Sequence, residues 1–460
     1  MVERRAGWPH RLGLAILALG LGLMAGCSRP APPTNLLFIT LDTLRSDRLG
    51  VYGYDRPTSP NLDAFAAESV VFTDATASIP TTLPSHVSIF TGLPVYRHGI
   101  RRNGQVPKQP LHTIFTLLND QGRATAGIVA AKVLDGRFFG TDAGFDELIW
   151  EPGGEGIWQI RAASVNEKAA AWLDQHAADP FALWLHYYDP HEPYDPEPEW
   201  AEPFTGDYQG PLPAAMSVEA LSALNLENGT ADLTERDLRY IDDLYDAEVA
   251  YLDHHLGEVL AMLDTHGVRD QTVVVMVADH GQAHGENRHD YWGHGQFLVE
   301  PSIKVPMLIH VPGRAARTVD IAVENLDLMP TLASIFELDT ADDLPGRDLG
   351  PAMIGETMPS KRVRVSERRT WRKHPDRLGV AIHGGDWKLT YFGTQKNHTY
   401  HLGRADGEGG IDGEDFFSPD GPEAAQITRL LDRIEASARA VDDTPLDAET
   451  RAALEALGYL

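Results

Sequence analysis

Asn35-Leu36-Leu37-Phe38-Ile39-Thr40-Leu41 runs apolar for the length of one strand and stops at Asp42. A short, mostly β-favouring run without polar alternation predicts a strand covered on both faces, the pattern of a parallel sheet. Two further runs repeat it: Thr272–Ala278 leads into Asp279-His280-Gly281, and Ala182–Tyr188 leads into Asp189-Pro190-His191. Three such strands, each delivering polar residues at its C-terminal end, predict an α/β fold. Open α/β sheets bind ligands at that edge, so Asp42, His191, Asp279 and His280 are expected to converge despite their separation in sequence.

After the first strand comes Thr82-Leu83-Pro84-Ser85-His86, and Ser85–Thr91 followed by Gly92 predicts a short helix with a proline near its first turn and a glycine stop. The Thr82 hydroxyl is then placed at a helix N-terminus, where unpaired N–H groups and the dipole favour an anion and its developing charge. The plainer alternative is that Thr82 only caps the helix. Asp42, Asp279 and His280 offer two carboxylates and an imidazole, and the Thr82 oxygen completes a four-ligand set for one divalent metal ion. Zn²⁺ or Mn²⁺ suits that set best, with Ca²⁺ as the other candidate. A metal also answers the weakness of a free hydroxyl as a nucleophile at neutral pH. An Asp-His-Gly after a strand is, taken alone, often only a capped turn.

The chain has 460 residues, 43% of them hydrophobic, enough for one large α/β domain and a smaller appendage. Its formal charge of -28 argues against a nucleic-acid or anionic-membrane surface, which needs clustered Lys and Arg. Arg4, Arg5 and Arg11 precede an apolar run over 12–23 that closes on Met24-Ala25-Gly26-Cys27, the layout of a targeting segment with a lipobox-like end. That run is short for a transmembrane helix, and Cys27 is the only cysteine, so no internal disulfide forms. Lipidation at Cys27 accounts for both facts; an ordinary signal peptide or an uncleaved anchor is the alternative. Residues 28–34 read as an extended tether. The expected location is a bacterial cell envelope, on the periplasmic or outer-membrane side, with the lipid as the only membrane contact.

Thr234–His266 carries apolar residues at helical spacing and predicts a long packing helix. Residues 192–229, rich in Pro and acidic side chains, read as a loop or lid near His191. A basic cluster over 361–373 reads as a solvated face, with guidance of an anionic substrate as its other use. Strand-like pieces follow at 378–392 and 399–402, then an acidic loop at 412–423 before a terminal helix.

The order of the motifs carries a resemblance. Leu41-Asp42-Thr43-Leu44-Arg45 with Asp47, Ser59-Pro60-Asn61-Leu62-Asp63, the Thr82 motif running to Thr91-Gly92, and His98-Gly99 come first. Asp189-Pro190-His191, Asp279-His280-Gly281, Gly293-His294-Gly295 and Asp327-Leu328-Met329-Pro330-Thr331 follow. Together they resemble the sulfatase family of the alkaline phosphatase superfamily. The resemblance implies a three-layer sandwich with a mostly parallel central sheet and a small C-terminal α+β subdomain. The chain then divides into a leader (1–27), a linker (28–34), a catalytic domain (35–340) and a C-terminal subdomain with tail (341–460).

The resemblance also implies roles. Thr82 stands where a sulfatase carries its Cys or Ser nucleophile. His191 aligns with a catalytic His, and His294 with a position that is Lys or His in the family; both are candidates to protonate the leaving oxygen and neutralise charge on the nonbridging oxygens. Arg45, His86 and Asn103 are candidate substrate contacts, with a salt bridge or turn as the plain reading of Arg45 and Asn103. His284 and His289 lie nearby in sequence, His289 with a possible loop-structuring role. Thr43 replaces the second acidic residue usual after the first strand, and His86 replaces the family's Arg. That set looks more like the single-metal phosphotransferases of the superfamily, although those usually carry Glu at the first position and a membrane domain.

The expected activity is therefore metal-dependent cleavage of phosphomono- or diesters through Thr82. A threonine cannot become the formylglycine hydrate that expels sulfate from a second hydroxyl, whereas a threonyl phosphate is open to water. The alternatives are a sulfuric ester hydrolase, a phosphotransferase and a non-catalytic anion-binding lipoprotein. The expected partner is a small-molecule, glycan or lipid-headgroup ester.

Overall fold

The computed structural model describes residues 33–107, 110–136, 144–152, 158–226, 229–285, 291–341, 343–360, 362–368, 378–384, 387–394, 397–404, 429–434 and 436. The leader with Cys27, most of the tether, His289, the acidic loop at 412–423 and most of the tail lie outside them.

An eight-stranded sheet forms the centre. Its strands are β1 (Asn35–Leu41), β2 (Val70–Thr76), β3 (Ala124–Val129), β4 (Glu147–Ile149), β5 (Phe181–Tyr187), β6 (Thr272–Ala278), β9 (Lys304–His310) and β10 (Arg317–Glu324). They lie in the order β10-β2-β9-β6-β1-β5-β3-β4. The short strands β7 (Ala283–His284) and β8 (Trp292–Gly293) pair separately. Every residue of β1, β5 and β6 is buried, as their uninterrupted apolar sequences require. β9 runs antiparallel to both of its neighbours and the other pairs are parallel.

Register sets the site. Leu41 stands opposite Ala278 on one side and Tyr187 on the other, so Asp42, Asp279 and the turn leading to His191 leave the sheet at one edge. Helices Pro60–Ala66, Ala162–His176 and Pro198–Thr205 pack on the long helix Glu235–Thr265, while Thr82–Thr91, Ile114–Asp120 and Leu328–Ile335 pack with one another. Two helical groups around one sheet make the expected three-layer α/β sandwich. The long helix starts where its sequence says it should, with a reciprocal capping box between Thr234 and Asp237.

Two local expectations are corrected. Residues 192–229 hold two short helices, Pro198–Thr205 and Val218–Ala223, and a Tyr194–Met216 bridge, not a plain loop. The basic cluster is not simply a solvated face, because its described part includes β11 (Val363–Glu367), first strand of an antiparallel sheet with β12 (Leu378–Gly384), β13 (Trp387–Thr394) and β14 (Asn397–Arg404). Arg362 pairs with Glu324 and, at 2.7 Å, with Asp327, and buried Arg364 reaches Asp74 at 2.8 Å. These arginines tie the small sheet to the large one.

Candidate active site

Asp42 at the end of β1 and Asp279-His280 at the end of β6 meet as the register demands. His280 Nε2 lies 3.8 Å from Asp42 Oδ1 and 3.6 Å from Asp279 Oδ2, and all three side chains are fully buried. His280 Nδ1 donates to the Gly281 carbonyl at 3.0 Å, which leaves Nε2 as the bare nitrogen facing the carboxylates. Both oxygens of Asp42, Asp279 Oδ2, His280 Nε2 and Thr82 Oγ1 are buried and have no hydrogen-bond partner among the described residues. Acceptors left bare in a dry site are costly, and a divalent cation satisfies them together. The residues therefore fit a metal, which Asp42, Asp279 and His280 could hold together.

Electrostatics agree. Burial, and then the charge on Asp42, push Asp279 well above the usual carboxylate range. Burial acts upward on Asp42 too, but His191, His186 and His280 outweigh it and hold that carboxyl below its ordinary value. Burial lowers His280 to about 4, so its ring is neutral, the form that ligates metal.

Thr82 opens its helix. Thr81 is extended at the N-cap position, and Thr82 is the first helical residue, so the helix starts three residues before Ser85 and Pro84 occupies its first turn. Gly92 closes it at φ 67°, in the left-handed region that glycine enters without strain. His86 Nδ1 donates to the Thr82 carbonyl at 2.8 Å; its Nε2 accepts from the Thr40 hydroxyl at 2.9 Å, whose oxygen accepts from Trp184 Nε1 at 2.8 Å. Burial, reinforced by His186, lowers His86 to about 3 and keeps it neutral. Ser85 Oγ donates to the Asp279 carbonyl at 2.6 Å and accepts from Asn325 at 3.0 Å, locking the helix to the end of β6. Asn103 accepts the Leu83 N–H through Oδ1 at 2.9 Å.

One contributor had no place in the sequence reading. His186, buried in β5, accepts the Ala130 N–H at Nδ1 (3.3 Å), so its proton sits on Nε2, 3.5 Å from Asp42 Oδ2. The signal for it was a histidine inside an otherwise apolar doubly covered strand. Thr43 adopts φ 56°, a strained conformation for a β-branched residue; its N–H faces Asp279 Oδ1 at 3.3 Å and its carbonyl accepts from Tyr245 at 2.8 Å.

His191 and His294 are brought together, with their Nε2 atoms 3.1 Å apart. His191 follows the cis Asp189-Pro190 bond and stacks on Tyr188. The His294 ring lies 4.6 Å from that of His280, so the pair adjoins the Asp42–Asp279–His280 cluster. Glu192, which the sequence reading placed in the lid segment without a role in the site, approaches His294 Nε2 to 4.0 Å. Of the expected substrate contacts, Arg45 is buried in a two-point pair with Asp47 at 2.9 and 2.7 Å. Both nitrogens of His86 are engaged inside the protein, as described above. His284 bonds Asp242 and Tyr194, at 2.8 and 3.0 Å.

The sulfatase family model matches residues 34–338. An uncharacterised sulfatase of Escherichia coli, YidJ, is 26% identical over 356 residues, covering 68% of this chain and 70% of the relative. The N-acetylglucosamine-6-O-sulfatase of Bacteroides thetaiotaomicron is 24% identical over 471 residues, covering 84% and 83%. Among solved structures, a phosphonate monoester hydrolase of Agrobacterium radiobacter shares the fold, with TM-score 0.70, 21% identity and coverage of 91% and 98%.

Proposed function

The chain belongs to the sulfatase family of ester hydrolases, and from that premise we propose that it cleaves phosphoesters with Thr82 as nucleophile. The observation that carries this reading is the buried Thr82 hydroxyl, without a hydrogen-bond partner among the described residues, at a helix start bolted to the bare Asp42–Asp279–His280 cluster.

A divalent cation bound by Asp42, Asp279, His280 and Thr82 would acidify the hydroxyl and neutralise phosphoryl charge. Thr82 Oγ1 gives up its proton to solvent and attacks phosphorus, the bond to the leaving oxygen breaks and that oxygen takes up a proton, and water later attacks the threonyl phosphate, releasing the phosphoryl product and restoring the hydroxyl. His86 fixes the Thr82 backbone and Ser85 fixes Asp279, so nucleophile and ligands hold their positions without reorganising during reaction. Asn103, oriented by the Leu83 N–H, has a buried Nδ2 with no partner among the described residues, a donor for a nonbridging oxygen. The His191–His294 pair stands beside the metal cluster and neutralises the leaving oxygen.

The name of the Agrobacterium neighbour supports a phosphorus ester on this fold. The names of the curated relatives favour a second reading, sulfate esters. Threonine has one hydroxyl and forms no aldehyde hydrate, so a sulfated Thr82 would have no second hydroxyl to expel sulfate. Paired nitrophenyl phosphate monoester, phosphodiester and sulfate substrates separate the readings. Phosphoester turnover that needs metal and drops at least about 10³-fold in Thr82→Ala is expected; preference for the sulfate ester would overturn the assignment.

A further inference from the structure

Asp42 and Asp279 enter the cluster on different terms. Asp279 Oδ1 accepts from the His280 N–H at 2.7 Å and faces the Thr43 N–H at 3.3 Å, so the main chain commits that oxygen and leaves Oδ2 toward His280 Nε2 at 3.6 Å. Neither oxygen of Asp42 has a hydrogen bond among the described residues. A carboxylate left in that state can present both oxygens to one cation.

One donor stands against that. Asp42 Oδ1 lies 3.8 Å from His280 Nε2, on the side of the other ligands, while Oδ2 lies 3.5 Å from His186 Nε2. The Ala130 N–H occupies His186 Nδ1 at 3.3 Å, so the ring presents its proton at Nε2. That N–H is buried and has no hydrogen-bond partner among the described residues. Packing fixes the ring: His186 is fully buried in β5, edge-on to His86 at 5.2 Å and to Trp184 at 6.3 Å. A buried donor held opposite a buried acceptor, both unsatisfied, needs only a small turn of the carboxylate to close a hydrogen bond.

We propose that His186 is a positioning residue that selects the metal: its Nε2–H takes Asp42 Oδ2 and leaves Oδ1 alone for the cation. With Asp279 Oδ1 already committed to the main chain, the cluster then offers one oxygen from each carboxylate and the His280 nitrogen. Few, single-atom ligands suit Zn²⁺, which takes about four, whereas Ca²⁺ takes about six to eight oxygens and uses carboxylates at two points where it can. His186 therefore favours zinc over calcium without touching either. The inference rests on the reading of Asp42, Asp279 and His280 as a metal centre, and the experiment distinguishes the two failures.

Full-length protein stripped with chelator is titrated with Zn²⁺ by calorimetry, and Ca²⁺ is measured by its competition with bound Zn²⁺. The zinc equivalent that Asp279→Asn loses marks the cluster. His186→Phe removes the N–H and keeps a ring. It should weaken zinc by about 10- to 100-fold, the usual effect of losing an outer-shell partner, while calcium binds as well or better. The zinc-to-calcium affinity ratio should therefore fall at least about 10-fold. His186→Gln, which returns an N–H near the same place, should recover part of the ratio. His186→Leu removes the same N–H with less bulk and repeats the test if the phenylalanine variant does not fold. Trp184→Phe disturbs the packing around His186, leaves its N–H in place, and should not move the ratio. An unchanged ratio on loss of the His186 N–H, or an equal fall in Trp184→Phe, overturns the role of His186 and spares the cluster. Zinc binding that Asp279→Asn leaves intact overturns the cluster, and the inference with it.

Discussion

At the scale of single residues, His86 shows how the departures from the usual family pattern fit one another. A neutral, fully buried ring accepts one hydroxyl and holds one carbonyl, whereas an arginine would bring a charge into the same buried space. His86→Ala leaves a cavity and an unheld Thr82 carbonyl, and is expected to cost about 2–4 kcal/mol in chemical unfolding of the metal-free protein. His86→Gln, which restores a donor, should recover part of that loss; equal loss in both would show that volume alone matters. Asp42, Asp279 and His280 were legible because an apolar strand that stops on an acid is a strong local signal. His186 and Glu192 were not, since one sits in a strand interior and the other in an acidic, proline-rich stretch. The hydrogen bonds that aim them come from residues distant in sequence or from side-chain geometry.

At the scale of elements, the Thr82 helix was legible in type but not in its start. Pro84 suggested a beginning at Ser85, yet proline is tolerated throughout a first turn, and the extended Thr81 moves the start forward. The ties of that helix were invisible: Ser85 bonds a carbonyl at the end of β6 and an Asn325 amide, both far along the chain. Ser85→Ala strands both partners and should lower stability by about 1–3 kcal/mol, measured by urea unfolding. The loop before His191 is held by Arg161, which reaches Asp189 at 2.9 Å and Glu248 of the long helix at 2.8 Å. Burial, only partly offset by Arg161, pushes Glu248 up to about 8. A folded-state value above the unfolded one means stability present in acid and lost as pH rises through that value. Wild type should therefore lose more melting temperature than Glu248→Gln between about pH 5.5 and 8.5; parallel curves would remove Glu248 from the pH response.

At the scale of the whole molecule, the sheet order follows from sequence only in part. The three central strands declare themselves by continuous burial, but the antiparallel insertion of β9 between β6 and β2 depends on packing that no local pattern encodes. The same holds for Arg362 and Arg364, which read as solvated cations and instead bind Glu324 and Asp74 on the central sheet. No helix among the described residues is long and apolar enough to cross a membrane. We propose that attachment comes from a lipid on Cys27. Full-length protein made in a bacterial host should incorporate labelled palmitate and fractionate with membranes, and Cys27→Ser should abolish the label; labelling that persists in the variant would rule out that anchor.

The central claim is a covalent phosphoryl group on Thr82, and intact-protein mass spectrometry of acid-quenched early turnover tests it directly. Metal-loaded wild type mixed with nitrophenyl phosphate should show one phosphoryl adduct, mapped by fragmentation to the peptide of Thr82 and absent from Thr82→Ala. Turnover that proceeds equally in Thr82→Ala, or an adduct mapped to another residue, would contradict the account.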